Sequence, residues 1–142
     1  MNRKYLYSLL LLLALSISGL YWGSLYWNQP PEKITANTEV EIQINASDLL
    51  SNFIEDESKA NNDFVERIIE VSGVVKEVTF LNNRYTVLLQ GKGEYACLIC
   101  DMDDTEVNGI SKVAIGDTIT LKGVCKGFLM DAILLNCVLV NP

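Results

Sequence analysis

Histidine is absent from all 142 residues. That removes the commonest general base and any Ser-His or Cys-His nucleophile pair, and leaves cysteine as the main zinc donor. Positive charge is also scarce, with 11 Lys and Arg against 18 Asp and Glu and a formal net charge of −7. Arg3 and Lys4 precede a long apolar run and every acid follows it, so the remainder carries nine basic against eighteen acidic residues. A surface this acidic repels phosphate backbones and anionic headgroups, which disfavours nucleic acid as a partner. The adjacent Asp103 and Asp104 read as a solvated loop, and "DMDD" lacks the ligand count and glycine of a calcium loop. No catalytic constellation stands out, so no enzymatic activity, cofactor or resident metal is expected.

Charge is missing altogether from Tyr5 to Trp27, a run of 23 residues. At ~1.5 Å rise per residue a helix of that length crosses a ~30 Å hydrocarbon core. Tyr21, Trp22, Tyr26 and Trp27 gather at its far end, where amphipathic rings favour the membrane–water interface. With the basic pair ahead of it, the segment predicts a short cytoplasmic N-terminus over 1–4, a membrane anchor over 5–27 and everything later outside the cytoplasm. A cleaved signal peptide, with its site after Ser16-Ile17-Ser18, is the rival reading; it would leave the aromatic belt as an exposed, greasy terminus. Gly19 and Gly23 form a GxxxG that permits helix pairing. No cysteine follows the apolar run closely, so no lipid-attachment signal is seen.

Residues 28–38, with adjacent Pro30 and Pro31, read as a polar, stiffened linker, and 39–142 as one extracytoplasmic domain. "EVEIQIN" alternates apolar and polar residues as a short strand or extended lead-in. Ser47 then suits an N-cap for an amphipathic helix whose apolar stripe is Leu49, Leu50, Phe53 and Ile54, ending near Asn61-Asn62. From Ile68 the periodicity becomes that of strands. "IIEVSGVVKEVTFL" holds Gly73, "RYTVLLQG" and "EYACLIC" follow across a glycine turn, and a polar stretch precedes "TITLKGVCKGF" and "DAILLNCVLVN". Helix, three strands, short helix and two strands, with glycine-bent first and fourth strands, predict a mainly β, five-stranded OB-type Greek-key barrel.

The cysteines admit several readings. If the last two strands turn near 130–132, Cys125 lies directly opposite Cys137, where Cβ atoms are ~4.5–5.5 Å apart. In an exported domain that pair is most simply a disulfide staple, with buried free thiols as the plainer alternative. Cys97 and Cys100 have the C-x-x-C spacing of redox and zinc motifs. Their flanks look like a strand rather than a helix N-terminus, and Asp101, Asp103 and Asp104 would raise a thiolate's pKa. Structural disulfides or core cysteines therefore lead, with a metal-binding or thiol–disulfide envelope protein using Cys97 and Cys100 as the alternative.

The runs "INASDLLSNFIEDESKANNDFVERIIEVSGVV" and "GDTITLKGVCKGFLMDAILLNCVLV" resemble the tRNA-anti-like family of OB folds, mostly exported or membrane-anchored bacterial proteins. The matching positions are Leu49, Leu50, Ala60, Val71, Gly73, Val75, Gly116, Asp117, Lys122, Gly123, Cys125, Gly127, Leu134 and Cys137, across roughly 44–140. The resemblance implies the barrel; with the anchor read above, the expected location is the bacterial cytoplasmic membrane, single-pass, with the domain in the periplasm. The family name would suggest a single-strand nucleic-acid binder. Such binders combine a basic groove with aromatics on the outer face of the central strands. Here strand alternation turns Tyr85 inward with Val87 and Leu89 and leaves Arg84, Thr86, Leu88 and Gln90 as the candidate exposed binding face. No ring on that face could stack a base. The expected function is a non-enzymatic binding module for an envelope protein or small ligand.

Overall fold

The computed structural model describes residues 3–27, 33–93 and 96–141. It divides into two compact units, Met1–Glu32 and Lys33–Pro142. In the first, the uncharged run forms one helix, α1 (Arg3–Trp27). Leu10, Leu11, Leu12, Leu13, Leu15, Ile17 and Leu20 are all exposed, so α1 offers apolar surface on every side. No helix among the described residues is long and apolar enough to cross a membrane.

The second unit is built from β1 (Ile42–Asn45), α2 (Ala46–Glu55), α3 (Glu57–Phe64), β2 (Ile68–Leu81), β3 (Arg84–Gln90), β4 (Cys97–Met102), α4 (Val107–Ile110), β5 (Thr118–Phe128) and β6 (Ala132–Asn141). Strands β2 to β6 close a five-stranded barrel in the order β2-β3-β4-β6-β5, with β2 returning to pair with β5. This is the expected OB arrangement, and β1 adds a sixth strand parallel to β2 outside the closed circuit. A single strand can serve two neighbours because β2 bends. Its first half pairs with β5 and its second half with β3, with a bulge between Val75 and Glu77. Gly73 is not the bulge itself. A Cβ there would come within 2.9 Å of the Ala46 Cβ and 3.3 Å of Leu89, so glycine lets α2 press onto the sheet.

The helix begins and breaks elsewhere than its composition suggests. Asn45, not Ser47, is the N-cap of α2: its Oδ1 accepts from the Ser47 N–H at 3.0 Å and from Ser47 Oγ at 2.9 Å. The helix stops at Asp56, whose φ of −151° leaves helical geometry, and the Asp56 carboxylate caps α3 by accepting from the Lys59 N–H at 3.0 Å. Helix α3 then runs through Asn61-Asn62 rather than ending there. Leu49, Leu50 and Phe53 are buried against the barrel while Ile54, counted in the apolar stripe, is 60% exposed. Phe53 stacks on Phe128 of β5 (centroids 5.7 Å apart) and meets Phe64 of α3 at 5.9 Å. Burying each such side chain contributes about 1.5–3 kcal/mol.

Residues 33–38 of the stretch expected as a linker over 28–38 belong to the same unit as the barrel. From Lys33 the chain belongs with the barrel: Ile34 is buried, and the buried Lys122 donates its ammonium hydrogens to the Ala36 and Thr38 carbonyls at 2.8 and 2.9 Å. Glu70 stands 3.8 Å from the same ammonium, so this inward-held charge has a carboxylate beside it.

Candidate functional site

Strand alternation sets the candidate face. On β3, Val87 and Leu89 are fully buried in the core, whereas Arg84 and Gln90 are exposed and Thr86 and Leu88 half-buried on the opposite side. Register then adds neighbours that no local pattern reveals. Leu88 sits between Glu77 of β2 and Ile99 of β4, and Ile99 in turn lies beside Ile133 of β6. Leu88, Ile99 and Ile133 thus form one half-buried aliphatic rung across three strands, with Thr79, Thr86 and Asp101 on the next. Ile99 and Ile133 were missed because they come from strands far apart in the chain, and only their half-buried parity could have signalled them.

Arg84 is the sole basic residue of the four-residue face, and its charge is engaged. Its Nη1 is 2.8 Å from Asp101 Oδ2 and its Nε 3.2 Å from Asp104 Oδ1. The Asp101 charge, then the Asp104 hydrogen bond, hold the guanidinium pKa above its ordinary value. Asp103, next to this pair, points elsewhere. It accepts from the Thr105 hydroxyl at 2.7 Å and from the Thr105 N–H at 3.0 Å, and those bonds lower its pKa. The aromatics near this end are Phe80 and Tyr85, register partners whose rings lie 4.5 Å apart at the β2–β3 hairpin. They share the inward parity of Val78 and Val87, although Phe80 is 52% exposed at the tip beside Leu81.

Gln90, at the far end of β3, belongs to a second feature. It lines a shallow groove of about 220 Å³ with Asn45, Ser47, Gly91 and Thr118, and an adjoining groove of about 340 Å³ continues over Gln43, Ser72 and Thr120. Both are walled mainly by uncharged hydrogen-bonding side chains.

The cysteines divide differently from their spacing. Cys97 and Cys100 lie on β4, a strand, so their side chains leave on opposite faces. Cys97 takes a hydrogen bond from the Lys76 ammonium (3.3 Å), and its backbone N–H donates to Asp131 Oδ1 at 2.7 Å. Cys100 points into the core. No group of three or more Cys, Asp or Glu among the described residues could hold a metal ion. The expected opposition of Cys125 and Cys137 is corrected by the register. Cys125 faces Leu134, because shifts at Lys122/Val124 and Cys125/Gly127 displace the β5–β6 ladder, and all four cysteines are free thiols. Burial pushes both the Cys125 and the Cys137 thiol pKa up.

A family model described as tRNA_anti-like matches residues 1–139. No curated protein matches the chain in sequence. Among solved structures, a "putative nucleic acid-binding lipoprotein" from Klebsiella pneumoniae subsp. pneumoniae MGH 78578 superposes with a TM-score of 0.59 at 16% identity, over 80% of this chain and 100% of that one. The S. pombe Stn1-ten1 complex aligns with a TM-score of 0.42 at 11% identity, over 53% of this chain and 59% of that one. The OBody AM3L09 bound to hen egg-white lysozyme also scores 0.42 at 11% identity, over 56% and 86%. At such identities the likeness to the Klebsiella protein is one of fold.

Proposed function

The chain belongs to the tRNA_anti-like family, and we propose that it is a non-enzymatic OB-fold binding module of the bacterial envelope that takes a protein partner on the outer face of β3 and β4. The observation that carries this reading is the aliphatic rung Leu88–Ile99–Ile133 beside a guanidinium already neutralised by two aspartates. Half-buried aliphatics rimmed by Thr86 and Gln90 suit the apolar centre and polar rim of a protein interface. They do not suit a polyanion, whose affinity comes from free basic groups. Attachment to the cytoplasmic membrane through the 5–27 helix, with the barrel outside, is part of the same proposal. Its support is the uncharged 23-residue run, apolar on every described side, behind Arg3 and Lys4. Gly19 and Gly23, with nothing within 4 Å of an added Cβ, leave room for such helices to pair.

A second reading has one specific support: the Klebsiella protein of similar fold is described as a "putative nucleic acid-binding lipoprotein". Fluorescence anisotropy of labelled single-stranded DNA and RNA against the full chain separates the two. The protein-partner reading predicts no saturable binding at 50 mM salt, the low-salt end of roughly 50–200 mM over which phosphate contacts lose most affinity. Binding that weakens steeply as salt rises would establish the nucleic-acid reading instead.

A further inference from the structure

We propose that the outer face of β1, β2 and β5 is a binding site for a neutral oligosaccharide, whatever partner β3 and β4 take. The site is made by register. Pairing of β1 with β2 and of β2 with β5 sets Gln43, Glu70 and Lys122 on one rung and Asn45, Ser72 and Thr120 on the next. Val74 and Thr118 make a third. Their strand neighbours Ile69, Val71, Ile119 and Leu121 are buried in the core, so alternation turns the three rungs outward. Strand β1 lies outside the closed circuit, and its addition widens this face from two strands to three. Both shallow grooves lie here, the one of about 340 Å³ over the first two rungs and the one of about 220 Å³ over the third. They meet at Asn45, so together they offer a continuous surface for linked sugar rings rather than one closed pocket.

The groups lining the grooves set the ligand class. Glu70 is the one charged residue among them, and the Lys122 ammonium 3.8 Å away offsets it, so the face favours neither an anion nor a cation. No described residue hydrogen-bonds to the side chains of Gln43, Ser72, Gln90, Thr118 or Thr120. Their hydroxyls and carboxamides each both donate and accept. Asn45 spends its Oδ1 on Ser47 and keeps its amide hydrogens for a ligand. Sugar hydroxyls need donors and acceptors spread around a ring, and side chains on three strands ~4.7–4.9 Å apart present such a two-dimensional array. An extended peptide would instead be held by backbone groups along one strand edge. The Glu70 carboxylate, steadied by Lys122, adds a charge-assisted acceptor for a ring hydroxyl. Val74, 38% exposed, supplies the apolar contact for the C–H face of a ring.

The test titrates the full-length chain in lipid nanodiscs with triacetylchitotriose and, separately, with maltotriose, read by saturation-transfer difference NMR. At least one of the two should bind saturably, with a Kd on the order of 1 mM. That binding should not change between about 50 and 200 mM salt, since no phosphate-type contact is involved. Thr120→Val and Gln43→Ala should each weaken it about 2–10-fold, the loss of one neutral hydrogen bond. Thr120→Val keeps the β-branched shape and Gln43 is exposed, so both chains should melt as the parent does. Ser111→Ala, an exposed position outside the grooves, should leave binding unchanged. No saturable binding of either trisaccharide overturns the proposal. So does binding that Thr120→Val and Gln43→Ala leave unaffected, or binding that falls steeply as salt rises.

Discussion

At the scale of single residues, two positions have effects opposite to their size. Gly123 contributes no side chain, yet a methyl there would meet the Cys137 sulfur at 2.6 Å and the Leu135 carbonyl oxygen at 3.1 Å. Gly123→Ala should therefore destabilise the domain by about 1–3 kcal/mol, the usual range for overpacking, and thermal or urea denaturation will read it. Asp103 is small and only partly buried, but it caps the turn that leads into α4. Its carboxyl pKa is lowered in the folded chain by the Thr105 bonds, so its contribution is present above the unfolded value and lost as pH falls through the folded one. Asp103→Ala should cost about 1 kcal/mol near neutrality, as removal of a cap does, and the difference from the parent should shrink progressively as pH falls below the ordinary aspartate value of about 3.9. Melting curves of the two chains from pH 7 to pH 2.5 check both magnitude and direction.

At the scale of elements, what matters is how pieces that look autonomous are tied to the barrel. The segment after Lys33 has the polar composition of a spacer, but Lys122 holds two of its carbonyls and Ile34 is buried. Lys122→Met keeps the aliphatic stem and removes the ammonium, leaving the Ala36 and Thr38 carbonyls without that donor and Glu70 without its nearby charge. A hydrogen bond from a charged donor contributes about 1.5–3 kcal/mol, so the variant should lose about 2 kcal/mol. Hydrogen exchange should quicken over 33–41 before it quickens in β2–β6. Helix α2 shows the same dependence from the other side: its cap, Asn45, is the last residue of β1. The cap was misplaced from sequence because Asn45 and Ser47 are both good capping residues, and only the parallel pairing of β1 with β2 decides between them.

At the scale of the whole molecule, the barrel was legible because strand alternation and bent, glycine-containing strands survive in the linear chain. The outer parity of Arg84, Thr86, Leu88 and Gln90 was legible for the same reason. The register of β5 against β6 was not, since each shift inserts a residue that no periodic pattern marks, and Asn136 takes a positive φ of 53° within β6 to accommodate it. Uninterrupted alternation sets Cys125 opposite Cys137, and the inserted residues bring Leu134 there instead. The rung Leu88–Ile99–Ile133 was hidden by chain topology, because β4 and β6 meet only after a connection through α4 and β5.

The proposed role depends on this rung being a protein-contact surface. A photoreactive amino acid placed at position 88 of the full-length chain in its native membrane tests it most directly, with position 111, an exposed serine outside the face, as control. The account predicts a discrete protein adduct from position 88 that survives nuclease, is lost on Ile99→Asp, and is absent from position 111. A nuclease-sensitive adduct from position 88, or equal labelling from both positions, would contradict it.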